Sequence, residues 1–298
     1  MLSMLNFIET WRRSPVKVVA GAALAITAFF AALLLLLLHL LAVSQRSTVP
    51  KTRRKHTPTH LLVVLGSGGH TAEMLSMLRR LPLDPTVYTF RTYVVTSGDS
   101  FSAAKAADFE ASLREKYKES RRSDGTARDP ASGPSESVSY SIVTVPRARR
   151  VHQSFWTAPL STIQCFWACI KVLRGIHPDQ RVRPQGTASP YPDLILTNGP
   201  ATAVCVVLAA KLLRLLNAVS APFTGQDHHR TDSSVGGRNL FPLRTIFIES
   251  WARVTSFSLS GKILLPFVDR FLVQWPNLEG RRAWRGMRET EYVGALVE

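Results

Sequence analysis

Apolar residues fall in short unbroken runs separated by longer stretches of helical spacing. Strands are predicted over 61–65, 91–96, 139–145, 193–197, 245–249, 271–274 and 291–294, and helices over 71–81, 102–117, 155–173, 201–216 and 258–268. Strand and helix alternate, and the strands are apolar throughout rather than at every second residue. That is the pattern of a parallel sheet covered on both faces, so an α/β fold built on a single Rossmann-like sheet is expected. No internal repeat is present.

One apolar run belongs to no such unit. Residues 18–38 are unbroken except for Thr27, long enough to span a bilayer and longer than the 7–15 apolar residues of a cleaved signal. Arg12, Arg13 and Lys17 precede it, and Arg46, Lys51, Arg53, Arg54 and Lys55 follow it. The heavier basic flank places the C-terminal side in the cytosol. The expected organisation is a short segment 1–17, one transmembrane helix over 18–43, a basic linker 44–59 and a domain over 60–298.

Charge sharpens this division. The chain of 298 residues carries a net +16, of which residues 1–59 supply +7, which suits an anionic membrane surface. The basic residues of the body form no stripe with interleaved aromatics, so no nucleic-acid partner is expected. Residues 60–298 exceed what one compact domain needs, and the surplus reads as surface insertions near 120–137, 178–192 and 220–244. His228 and His229 in the last of these are adjacent, and no third ligand stands at a fixed spacing. No metal site and no cofactor are expected. Cys165, Cys169 and Cys205 fall in apolar helices and read as inert core. The helix around Phe155, Trp156, Phe166 and Trp167 is apolar on most faces, either a buried core helix or one lying partly in a bilayer interface.

Ligands of parallel sheets sit at the C-terminal strand edges, and the informative segments cluster there. After the first strand come Gly66, Ser67, Gly68, Gly69, His70, Thr71, Ala72 and Glu73, a glycine turn opening a helix whose amides can face an anion. It lacks the lysine of a nucleotide-hydrolase phosphate loop, and Thr71 occupies the sixth place of the dinucleotide fingerprint, so both fail or fit weakly. A tight turn without a ligand is the plain alternative. His70 places an imidazole on the first helical turn, as a general base or as a residue that only caps the loop. Asp99 after the second strand either takes part in the chemistry or caps the helix that follows. Glu249 after the fifth does the same or forms an ion pair.

Further segments follow in order: Thr96-Ser97-Gly98-Asp99, Val145-Pro146-Arg147-Ala148-Arg149, Asn198-Gly199-Pro200, Glu249-Ser250-Trp251-Ala252-Arg253, Leu259-Ser260-Gly261-Lys262 and Phe271-Leu272-Val273-Gln274-Trp275-Pro276. Together with the glycine turn they resemble the membrane-anchored subunit of the two-subunit UDP-N-acetylglucosamine transferase of dolichol-linked oligosaccharide synthesis. The glycine turn and its histidine are also similar to the bacterial transferase that adds N-acetylglucosamine to the peptidoglycan lipid precursor. Relatives usually carry a glycine and a cysteine after the proline, where Ala201 and Thr202 stand here.

The resemblance implies the acceptor-side, N-terminal half of a GT-B glycosyltransferase, with the nucleotide-binding half on a separate soluble subunit. It implies an acceptor, dolichyl diphosphate N-acetylglucosamine, and a place on the cytosolic face of the endoplasmic reticulum membrane or the contiguous nuclear envelope. On it, His70, Asp99 and Glu249 are the catalytic candidates. Gly66, Ser67, Gly68, Gly69, Arg147 and Arg149, with Arg150 beside them, are the diphosphate candidates. Asn198, Gly199, Pro200, Ser250 and Arg253 line the cleft, and the apolar end with Leu296, Val297 and Glu298 meets the partner. Two other classes compete: a membrane-bound Rossmann oxidoreductase, and a recruitment scaffold whose glycine turn has no chemistry.

Overall fold

The computed structural model describes residues 15–46, 58–123, 140–149, 153, 158–181, 189–199, 201–220 and 243–297. The chain divides into two compact units at Ser47 and Thr48. The first contains a 32-residue helix, α1 (Pro15–Arg46). Its interior Thr27 donates its hydroxyl to the Ala23 carbonyl at 2.8 Å, the back-bond by which a threonine satisfies itself inside an apolar helix. Among the described residues no helix is long and apolar enough to cross a membrane. The helical backbone expected over 18–38 is present, but the bilayer span itself does not follow from the structure.

The second unit alternates β1 (His60–Val64), α2 (Gly69–Arg80), β2 (Phe90–Thr96), α3 (Ser100–Ser123), β3 (Tyr140–Val145), α4 (Ala158–Leu173), β4 (Leu194–Asn198), α5 (Ala201–Ser220), β5 (Arg244–Ile248), α6 (Leu259–Leu264), β6 (Arg270–Val273) and β7 (Glu291–Tyr292). The strands form one seven-stranded sheet in the order β3-β2-β1-β4-β5-β6-β7, every pair parallel. This is the Rossmann-like order, and it reverses between β1 and β4. In β1 the alternate residues Leu61 and Val63 join the core beneath α2 and α3, while Leu62 and Val64 join the core beneath α4 and α5. Burial on both faces is why the strands read as continuous apolar runs.

Several boundaries differ from those expected. The helix placed at 258–268 stops at Leu264, because Pro266 has no N–H to continue the ladder. The strand placed at 291–294 keeps register with β6 at Glu291 and Tyr292, the Val293 amide still donates to the Val273 carbonyl at 3.1 Å, and Gly294 has φ +76°. Of the helix placed at 155–173, Ala158–Leu173 lies within the described residues, with Pro159 near its described start, and the part before Ala158 lies outside them. Phe155, Trp156, Arg150, Pro200, His228, His229, Glu298 and most of the three insertions lie outside the described residues. Cys165, Cys169 and Cys205 are free and buried.

A histidine in β1 and an arginine in β2 are buried and require partners. Arg91 is held by Glu110 of α3 through Nε to Oε1 at 2.6 Å and Nη2 to Oε2 at 2.8 Å, and Tyr93 donates to the same carboxylate at 2.7 Å. His60 is 2 % exposed, with Nε2 2.8 Å from the Thr92 hydroxyl. Burial pushes the His60 imidazole down to about 4. The unfolded chain takes up a proton near pH 6.5 and the folded chain only near 4, so stability is complete above 6.5 and is lost as pH falls between these values. The expected loss is about 3 kcal/mol, and denaturation from pH 7 to 4 checks it. In His60→Gln the slope over that window should flatten.

Candidate active site

The sheet's C-terminal edge carries the site, centred where strand order reverses between β1 and β4. β1 leads into Gly66, whose carbonyl accepts a short hydrogen bond from the Thr71 hydroxyl. Thr71 is also 2.7 Å from Ser102 of α3, so the turn is pinned to the neighbouring helix. Gly68, with φ +62° and ψ −122°, is the N-cap of α2 and provides no capping side chain. Only glycine enters that backbone region without strain. Ser67, Gly68 and Gly69 are exposed, and a Cβ at Gly68 or Gly69 would meet nothing within 4 Å. Uncapped amides at the positive end of a helix therefore open onto free space, the arrangement that takes an anion.

His70 lies on the cleft side of this turn. Gly199, at the end of β4 with φ +77°, packs against its ring so closely that a Cβ there would fall 2.7 Å from Cγ and 2.9 Å from Nδ1. Nδ1 is enclosed while 35 % of the side chain remains accessible, so the exposed part of the ring lies away from Nδ1. Nδ1 faces Oε2 of Glu73 at 3.7 Å, an ion-pair separation rather than a hydrogen bond.

Glu73 is the hub of the cleft, and the sequence alone assigned it no role. Oε1 accepts from the Trp251 amide at 2.6 Å and Gln274 Nε2 at 3.1 Å; Oε2 accepts from Ser250 Oγ at 3.1 Å and Asn198 Nδ2 at 3.2 Å. The carboxylate thus joins α2 to the ends of β4, β5 and β6. Burial alone would raise its pKa, but the contacts from His70, Trp251, Gln274 and Ser250 outweigh burial and hold it below the ordinary carboxylate value. The signal available in sequence was the spacing: residues three apart on a helix share a face, so Glu73 stands beside His70.

The other catalytic candidates sit differently. Asp99 is the N-cap residue of α3, accepting from the Ser102 amide at 3.0 Å and hydroxyl at 2.7 Å. Glu249 accepts from the Ser250 amide at 3.1 Å and from the Ser258 amide and hydroxyl at 3.1 and 3.2 Å, tying the β5 loop to the start of α6. Burial raises its pKa, and these donors with the nearby Arg253 offset only part of the rise. Gly261 makes room for it, since a Cβ there would collide with Oε2. Both carboxylates are thus engaged by serine donors of their own loops. Arg253 is exposed beside Ser250.

Arg147 is half-buried and donates from Nε to the Ser97 carbonyl at 2.9 Å, fixing the β3 loop to the β2 loop. Arg149 is exposed and reaches the Gln153 carbonyl at 3.4 Å. The two arginines stand over β3, two strands away from the glycine turn over β1. Leu296 and Val297 are half-buried against the α2–α3 side of the sheet, and the Leu296 amide donates to Gln274 Oε1 at 3.0 Å. Among the described residues no group of three His, Cys, Asp or Glu side chains is placed to hold a metal ion.

Residues 61–296 match the family described as "Oligosaccharide biosynthesis protein Alg14 like". The chain is 59 % identical over 235 residues to the UDP-N-acetylglucosamine transferase subunit alg14 of Aspergillus fumigatus, covering 76 % of this chain and all of that protein. It is 35 % identical to the subunit of the same name from Schizosaccharomyces pombe, covering 85 % of this chain and 90 % of the relative. Against the human subunit it is 29 % identical over 282 residues, covering 95 % and 99 %. The match over residues 61–296 and the identities to these relatives show that this chain belongs to the Alg14-like family of oligosaccharide biosynthesis proteins.

Proposed function

We propose that this chain is the acceptor-side, membrane-anchoring subunit of a two-subunit UDP-N-acetylglucosamine transferase. It receives dolichyl diphosphate N-acetylglucosamine, and a soluble partner brings the sugar nucleotide. The observation that carries this reading is the placement of His70, with Nδ1 enclosed against Glu73 and the rest of the ring open beside the amides of an uncapped glycine turn. The relatives' name, UDP-N-acetylglucosamine transferase subunit, supports the donor and the division of labour.

In the transfer, an acceptor sugar hydroxyl gives its proton to His70 Nε2 while its oxygen bonds to the anomeric carbon of N-acetylglucosamine. The bond from that carbon to the UDP phosphate oxygen breaks, and its electron pair leaves with UDP. The amides at 66–69 hold the acceptor diphosphate, with Arg147 and Arg149 guiding it from the β3 side. The partner docks on the surface around Leu296 and Val297, continued by the exposed Tyr292 and Val293.

Anchoring rests on residues 18–38 and their basic flanks, with the domain on the cytosolic face of the endoplasmic reticulum membrane. A second support is the face of α4 that exposes Leu160, Ile163 and Trp167 at helical spacing. It adjoins the arginine loop, since the Ser161 and Thr162 hydroxyls both donate to the Ala148 carbonyl at 2.8 and 3.1 Å. An interfacial helix there would bring the lipid's phosphates toward Arg147 and Arg149.

The test uses the full chain in detergent, with and without its partner, and follows transfer from UDP-N-acetylglucosamine to a polyprenyl diphosphate sugar. Transfer only with both subunits is expected. Activity of this chain alone, or a bound nicotinamide cofactor, would overturn the reading.

A further inference from the structure

We propose that Glu73 is a positioning residue of the transfer step, holding His70 with Nδ1 inward so that Nε2 is the nitrogen presented to the acceptor hydroxyl. The inference rests on the transferase reading for its kinetic part and on the structure alone for its geometric part. Glu73 is 8 % exposed, and four donors fix both of its oxygens while His70 Nδ1 lies 3.7 Å from Oε2. A carboxylate so held cannot turn away from the imidazole without breaking contacts to three strand ends. A carboxylate is acceptor-only, so it favours the tautomer in which Nδ1 carries the proton and Nε2 keeps its lone pair. As Nε2 takes the hydroxyl proton, the imidazolium gains a fixed counter-charge on its far side. The 3.7 Å separation is of the kind that tightens when substrate fills the cleft.

The bland alternative is that Glu73 only cross-links the β4, β5 and β6 loops. Three variants separate the two roles: Glu73→Gln keeps size but can donate to Nδ1, Glu73→Asp keeps charge, and Gln274→Met removes the Glu73 cross-link to β6, together with the contacts to the Glu249 carbonyl and the Leu296 amide, without touching His70. Transfer by the two-subunit complex is measured beside the nitrogen-15 spectrum of the chain, which reads the proton on each imidazole nitrogen. For Glu73→Gln, kcat should fall about a hundredfold or more with KM within about threefold, and the His70 proton should move from Nδ1 to Nε2. Glu73→Asp should restore the wild-type tautomer and part of kcat, and Gln274→Met should lower kcat by less than about tenfold.

An unchanged His70 tautomer in Glu73→Gln, or equal kcat losses in Glu73→Gln and Gln274→Met, would overturn the proposal. The spectrum requires no transfer. It therefore decides the geometric claim even where the wild-type complex fails to transfer N-acetylglucosamine, a failure that would count against the transferase reading instead.

Discussion

Replacing Gly199 by alanine is expected to lower transfer by the two-subunit complex at least about a hundredfold, while the chain still folds. Two effects combine at this position. The backbone has φ +77°, where an L side chain costs roughly 1–2 kcal/mol. The new methyl would also fall 2.7 Å from Cγ, 2.9 Å from Nδ1 and 3.0 Å from Cδ2 of His70. Atoms cannot approach so closely, so the ring must move by several tenths of an ångström or turn away from Glu73. Misplacement of a proton acceptor by about 1 Å is worth about two orders of magnitude in rate. Gly175→Ala is the control, since its φ is +67° and its Cβ would be an ordinary 3.7 Å from the Pro190 carbonyl. Both variants should lose the backbone strain energy in thermal denaturation, Gly199→Ala somewhat more for the contact with His70, and only Gly199→Ala should lose turnover. Equal activities would place His70 outside the chemistry.

The largest expected stability effect lies away from the site. Glu110→Ala should cost about 3–5 kcal/mol, because it leaves the Arg91 guanidinium, 4 % exposed, without its carboxylate inside the sheet layer. Tyr93 loses its acceptor as well. The Tyr88 carbonyl still accepts from Nη1 at 2.8 Å, but a neutral oxygen does not offset a buried charge. Removing both partners, as in Arg91→Met with Glu110→Leu, should return most of the loss, since the desolvation of two charges disappears with them. Chemical denaturation of the single and the double variant measures the difference. A single-variant loss below about 1 kcal/mol would mean that water reaches Arg91.

The parallel sheet was legible because each strand is apolar on both faces and each helix repeats at its own period, which are local properties. His70 was legible for the same reason: a glycine turn between a strand and a helix is contiguous, and its histidine stands within it. Glu73 was not, because its role depends on partners 125 to 201 residues away, Asn198, Ser250, Trp251 and Gln274. A motif reading saw the same acidic residue as part of the helix. Asp99 and Glu249 read as chemical candidates because they end strands on the ligand edge. Their oxygens are turned to Ser102 and to Ser250 and Ser258, orientations that sequence position does not fix. At 258–268 the apolar spacing continues past Pro266, whereas the helix ends at Leu264.

The central claim is that His70 of this chain takes the acceptor proton in a transferase completed by a second subunit. The measurement that tests it most directly is the single-turnover rate of N-acetylglucosamine transfer by the two-subunit complex carrying His70→Gln. The rate is expected to fall at least about a hundredfold, with partner recovery and thermal midpoint unchanged. A rate within about threefold of the unsubstituted complex would contradict the account.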